Sequence, residues 1–297
     1  MPTSALFGLC VLIWGTTWFA ITAQIAVFAS ELGVAVRFGL AALLLAAMCR
    51  WRGIRLRYGR RAYALFLAQG LNAFCAGYVC VYAAERFVVS GVVAVGYAAS
   101  PLFGLVLARL FLGTPMSTRV AAGAAVGVLG VGLIFGHELA RLAVSREAAW
   151  GVELTLASVL LSSLGSVAAA GYQRLGVKGW GPLAWAMGYG ALAAALWAAV
   201  DGTPWRWAWT PAFVGTLLYL VVFGTIVAFG AYVALIGRVG PARAGYVGVA
   251  TPVVALVVSS ALEGFAWTGE TVAGIVLAIA GNVIALWPRE WPEPITA

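Results

Sequence analysis

Long apolar runs separated by short polar breaks follow one another along the whole chain. Ten of them cover about residues 4–28, 31–49, 62–84, 87–112, 118–136, 149–172, 181–200, 211–236, 242–262 and 268–287. A helix of roughly 18 or more apolar residues crosses the ~30 Å of hydrocarbon in a bilayer. Hydrocarbon offers no partner to a bare peptide group, so each run has to close its own hydrogen bonds as a helix. A barrel would need short strands of alternating hydrophobicity, which this sequence does not contain. The pattern predicts an all-α integral membrane protein with ten transmembrane helices.

Composition agrees and removes alternatives. Hydrophobic residues make up 63% of the chain, charged residues 9%, and the mean hydropathy is +0.99, outside the range of a domain with a water-facing surface. The longest breaks, about 50–61 and 137–148, are too short to hold a soluble catalytic domain. No G-x-x-x-x-G-K-[ST] phosphate loop occurs, so the chain is not expected to hydrolyse ATP. Its only histidine, His137, falls in a break and cannot supply the constellation a membrane enzyme needs. Cys10, Cys49, Cys75 and Cys80 lie in or at the end of apolar runs without C-x-x-C spacing, as small apolar residues do. The reading is a non-enzyme with no cofactor and no metal. Met-Pro-Thr-Ser precedes the first run without a basic residue, so that run reads as helix 1 rather than a cleaved leader.

A net charge of +8 suggests nucleic acid until the charges are placed along the chain. With the N-terminus inside, thirteen Lys and Arg fall on inner connections and the tail, six of them in the segment RWRGIRLRYGRR at 50–61. Four, Arg86, Arg141, Arg146 and Arg206, fall outside, and Arg37 lies within helix 2. That asymmetry is a topology signal, predicting both termini in the cytoplasm and a bilayer rather than nucleic acid as the partner.

The chain also repeats itself. At a constant offset of 151, residues 83–130 overlay 234–281, matching Ala99 with Ala250, Leu105 with Leu256, Gly113 with Gly264, Gly123 with Gly274 and Gly130 with Gly281. Ser100-Pro101 overlays Thr251-Pro252, each pair deep in an apolar run. The predicted organisation is a five-helix repeat over 1–136, a connection over 137–148 and a second repeat over 149–297. Five is odd, so the second copy runs through the membrane in the opposite sense, the geometry of an alternating-access carrier.

Several short motifs then resemble a known family. Trp14-Gly15 with Phe19, Tyr82-Ala83-Ala84-Glu85-Arg86, the proline-centred fourth run, LFLGT at 110–114, and the second copy around Pro252 with LEG at 262–264 resemble the EamA-like, ten-helix members of the drug/metabolite transporter superfamily. Thr114 stands where that family commonly places Glu. The resemblance implies a bacterial inner-membrane secondary transporter, an exporter or facilitator.

Polar and aromatic groups well inside apolar runs are costly unless paired or facing a cavity, so they are the candidate substrate-binding residues. They include Trp14, Trp18, Asn72, Tyr78, Tyr82, Tyr97, Ser100, Gln173, Trp185, Tyr219, Tyr246 and Thr251. Each mid-run tyrosine is equally open to simple interhelical hydrogen bonding. A proline inside a helix leaves the carbonyl four residues earlier without its donor, so Pro101 frees Tyr97 and Pro252 frees Gly248, giving two candidate hinges. No carboxylate occupies the centre of a span, which counts against a multidrug carrier for cations and for a facilitator. A single intramembrane Arg37 counts against phosphorylated sugars; it is expected to snorkel or to pair with Glu31. What remains suits a small neutral or zwitterionic molecule with an apolar body. The family branch resembling this pattern is the YddG type, which implies amino acids, aromatic ones included; a multidrug or nucleotide-sugar carrier is the alternative. A monomer is expected, with Gly123 and Gly127 spaced for close helix packing within or between chains.

Overall fold

The computed structural model describes residues 1–113, 118–141, 146–205, 209–244 and 246–286. Their fold is all-helical. We number the helices by apolar run: α1 Thr3–Ile25, α2 Ser30–Trp51, α3 Arg60–Ala84, α4 as Ser90–Tyr97 and Ser100–Leu112, and α5 Thr118–Arg141. In the second half, α6 is Arg146–Arg174, α7 Trp180–Val200, α8 the successive segments Pro211–Leu218, Tyr219–Val227 and Ala228–Ala244, α9 Tyr246–Leu262, and α10 Gly269–Leu286. His137, expected in a connection, lies within α5.

Two local irregularities recur in both halves. The middle of α3, Gly70–Gly77, and the middle of α8, Tyr219–Val227, are wound as π-helix. Such widened turns are rare and gather at functional sites. Gly113 and Gly264, matched in the sequence repeat, both take left-handed backbone, with φ of 64° and 73°. Only glycine adopts that conformation without strain, which ends α4 and turns the chain out of α9.

The expected proline kink in α4 is a full break. The two pieces meet at 43° between Ser90–Tyr97 and Leu102–Leu112. Pro101 therefore sits in the first turn of the second piece, where no helical N–H donor is needed. Polar side chains from other helices reach the backbone here: Asn282 Nδ2 donates to Ala98 O at 2.9 Å, in the break, and Ser163 Oγ to Ser100 O at 3.2 Å, at the start of the second piece. By contrast, α9 runs unbroken through Pro252, with Thr251 Oγ1 donating back to Val247 O at 2.7 Å.

Packing obeys one scheme. Helix α1 lies on α9 as α6 lies on α4, and α3 crosses α6 and α7 as α8 crosses α1 and α2. The pairs α2 with α7, α4 with α9 and α5 with α10 link the halves directly. In lipid, helices associate by close packing of small residues rather than by hydrophobic exclusion. Along α5 and α10 the backbones touch: a Cβ on Gly123 would lie 2.6 Å from Gly281 O, and one on Gly274 2.7 Å from Gly130 O. The glycine face that could have served a second chain is thus occupied by α10.

Candidate functional site

Helices α1, α3, α4, α8 and α9 flank a partly open cavity of about 240 Å³ lined by Trp14, Thr17, Trp18, Tyr78, Ala94, Tyr97, Ser100, Phe229, Gly248, Thr251 and Pro252. None of these lining residues is charged. Trp14 is held by a hydrogen bond from Nε1 to Gly224 O (3.1 Å) and by edge contact with Phe229, centroids 5.3 Å apart. Trp18 leans on Tyr97 at 4.9 Å, while Tyr97 Oη bonds Ser162 Oγ at 2.8 Å. The aromatic wall is therefore fixed from behind.

Two polar atoms at this cavity are left without partners. Trp18 Nε1 and Ser100 Oγ are both buried and make no hydrogen bond. Buried polar atoms are nearly always satisfied, so unmade bonds at a cavity mark places for a ligand. A third group joins them: the Gly248 carbonyl has lost its helical donor to Pro252, and Gly248 lines the cavity. A donor, a hydroxyl and an acceptor thus belong to residues of one aromatic lining. A larger hollow of about 620 Å³ lies beside Phe87, Arg146, Glu147, Trp150 and Glu153; its charged side chains are exposed to solvent.

The cavity gathers seven residues singled out from sequence: Trp14, Trp18, Tyr78, Tyr97, Ser100, Thr251 and Pro252. Others lie elsewhere. Asn72 donates to Ala68 O within its own helix (2.9 Å), and Tyr82 is fully buried against Gly33. Gln173 is exposed; Trp185, on α7, donates to Leu56 O at 2.9 Å. Tyr219 bonds Thr16, and Tyr246 begins α9 outside the lining set. Phe229 and Ala94 were not anticipated, because apolar residues in an apolar run carry no distinguishing signal; Gly248 had been marked only as the carbonyl that Pro252 frees.

Known proteins bear directly on this architecture. A model of the EamA-like transporter family matches residues 2–136 and again 149–287. The chain belongs to the EamA-like transporter family. The "Uncharacterized inner membrane transporter YedA" of Escherichia coli (strain K12) is 31% identical over 284 residues, covering 94% of this chain and 87% of that relative. "Protein PagO" of Salmonella typhimurium is 26% identical over 164 residues, 54% of this chain and 52% of its own. A solved structure, "Crystal structure of protein", shares the fold, with a TM-score of 0.67 and 18% identity over 95% of this chain and 96% of that one. The duplicated family match fits a ten-helix transporter rather than an enzyme.

In this EamA-like transporter one cation lies just behind the cavity wall. Arg37, expected to snorkel or pair with Glu31, does neither: it is 3% exposed, and Glu31 accepts from Thr203 Oγ1 instead. It sits two turns into α2, with its guanidinium 5.1 Å from the Phe38 ring centroid and 5.0 Å from that of Tyr78. Cation–π attraction supplies part of what water would have given it. Its Nε and Nη1 still lack acceptors, and the Tyr82 hydroxyl beside it makes no well-formed hydrogen bond.

Two carboxylates at the end of the bundle where α3 finishes differ sharply. Glu263, just after α9, accepts from Ser90 N at 3.2 Å, from Ser90 Oγ and from Ser259 Oγ, tying the start of α4 to the end of α9. Glu85, just after α3, is 8% exposed and has no donor on either oxygen. Burial holds its carboxyl well above the usual carboxylate range, the Glu263 charge adds to this, and Arg37 opposes it.

Proposed function

We propose that this EamA-like protein is a bacterial inner-membrane secondary transporter, an exporter or facilitator of small neutral or zwitterionic metabolites, amino acids including aromatic ones, working by alternating access around the central cavity. The observation that carries this reading is the uncharged aromatic cavity with Trp18 Nε1 and Ser100 Oγ unbonded. A zwitterion would set its carboxylate on the Trp18 donor and its ammonium against the Gly248 carbonyl and the ring faces, with its apolar body along Tyr78, Tyr97 and Phe229. A volume of about 240 Å³ falls below the range of drug-sized sites, about 300–1,000 Å³, and favours a metabolite over a multidrug substrate.

The packing scheme that survives exchange of the two halves, the paired π-segments and the matched left-handed glycines support two inverted copies rocking about the site between them. The charge asymmetry supports cytoplasmic termini, and the inner-membrane relative supports the location. Counterflow in liposomes tests the substrate class directly. Preloaded phenylalanine is expected to exchange with external phenylalanine, tryptophan and other neutral amino acids. Exchange of lipophilic cations or nucleotide sugars with no exchange of amino acids would overturn the reading.

A further inference from the structure

The carboxylate of Glu85 plays no part in the cavity and is not tied into the packing. An ionised carboxylate buried without a donor is unfavourable, and the simplest relief is to take up a proton. Arg37 of α2 and Tyr82 of α3 act on Glu85, as does Glu263 at the end of α9. The neighbouring Arg86 is engaged elsewhere, donating to Phe28 O at 2.7 Å. The charged residues of the adjoining α6 end, Arg146, Glu147 and Glu153, line the larger hollow instead. Glu263 already has three donors, so of the two acids Glu85 is the bare one.

We propose that Glu85 is a proton-binding site of the transport cycle: its carboxyl holds one proton while this end of the bundle is closed and releases it to solvent when the end opens. The geometry supplies both halves of that statement. Ser90, Ser259 and Glu263, whose charge acts on Glu85, tie the start of α4 to the end of α9, so parting those helices is what would let water reach the carboxyl. Arg37 connects it to the site, because the guanidinium whose charge acts on Glu85 also stacks on Tyr78, a wall of the cavity. The charge on Glu85 and the occupant of the cavity therefore act on one cation. Only a proton moves, from solvent to a carboxylate oxygen and back. The proposal rests on the alternating-access reading above, and it replaces a purely substrate-driven facilitator with a proton-linked carrier.

The test uses the full-length protein in liposomes with phenylalanine as the probe. Wild type is expected to exchange phenylalanine at a rate that depends on pH, and to accumulate it when a pH gradient is imposed. Glu85→Gln should keep exchange within about threefold of wild type while losing both the pH dependence and the gradient-driven accumulation. Glu31→Gln, at the same end but hydrogen-bonded to Thr203, should behave as wild type. Accumulation retained in Glu85→Gln, or wild-type exchange that ignores the gradient, overturns the proposal whatever the stability of the variant.

Failure of phenylalanine to exchange at all would strike the substrate reading instead, and the proton site then has its own measurement. As pH rises through the raised titration of a buried carboxyl, the folded state loses its proton and the stability that went with it. The melting temperature of Glu85→Gln minus that of wild type, in detergent, should therefore grow with pH. A difference that stays flat from about pH 5 to 8 overturns the site.

Discussion

Ser100 gives the sharpest test at the level of one side chain. Its hydroxyl is buried with no partner, and such a group costs roughly 1–3 kcal/mol relative to one that is bonded or absent. Ser100→Ala should therefore leave the melting temperature unchanged or raised, because nothing bonded is lost. If the hydroxyl serves substrate, the half-saturating concentration rises by about fivefold, the worth of one ordinary hydrogen bond of about 1 kcal/mol. A lower melting temperature with unchanged transport would make Ser100 structural. Residues like this one were legible in the sequence because a polar group in an apolar run stands out. Tyr82, Gln173 and Trp185 stood out equally yet lie elsewhere, since a helix apolar all round offers no polar face from which to read direction. Arg37 shows the same limit: its position in α2 was visible, but the aromatic pair that holds it, Phe38 beside it and Tyr78 from α3, comes together only on folding.

At the scale of the helix, the two repeat-matched prolines turn out to have different surroundings. Pro101 stands in the first turn of a new helical piece, where a missing N–H costs nothing, whereas Pro252 lies inside an unbroken helix and leaves one carbonyl without its donor. Replacing each with alanine should separate them. Pro101→Ala is expected to shift stability by less than about 1 kcal/mol, because no helical bond is regained. Pro252→Ala restores a donor to the Gly248 carbonyl, so it should raise the melting temperature and, by occupying an acceptor at the cavity, weaken transport. Equal effects of the two substitutions, read by thermal unfolding and counterflow, would contradict the difference in their surroundings. The sequence marked both prolines but not which helix would break. Asn282 and Ser163, which reach across to the α4 backbone at Ala98 and Ser100, come from helices distant in sequence.

For the molecule as a whole, what the sequence revealed and what it concealed divide along physical lines. Spans and duplication are written in composition and register, so ten helices and a repeated unit could be read from the chain alone. Which helix touches which could not, because lipid and protein neighbours are equally apolar and only close glycine packing, as along α5 and α10, distinguishes them. Orientation stands between these cases, carried by loop charge and read by no contact inside the bundle. It predicts that the connection holding Arg57 faces the cytoplasm and the one holding Pro204 faces outward. In a variant whose Cys10, Cys49, Cys75 and Cys80 are replaced by alanine, Pro204→Cys should react with an impermeant maleimide on intact cells. Arg57→Cys should react only after the membrane is opened. The reverse pattern would put both termini outside and would also turn Glu85, at the opposite end of α3 from Arg60, towards the cytoplasm, so the proton it binds would come from the other side of the membrane.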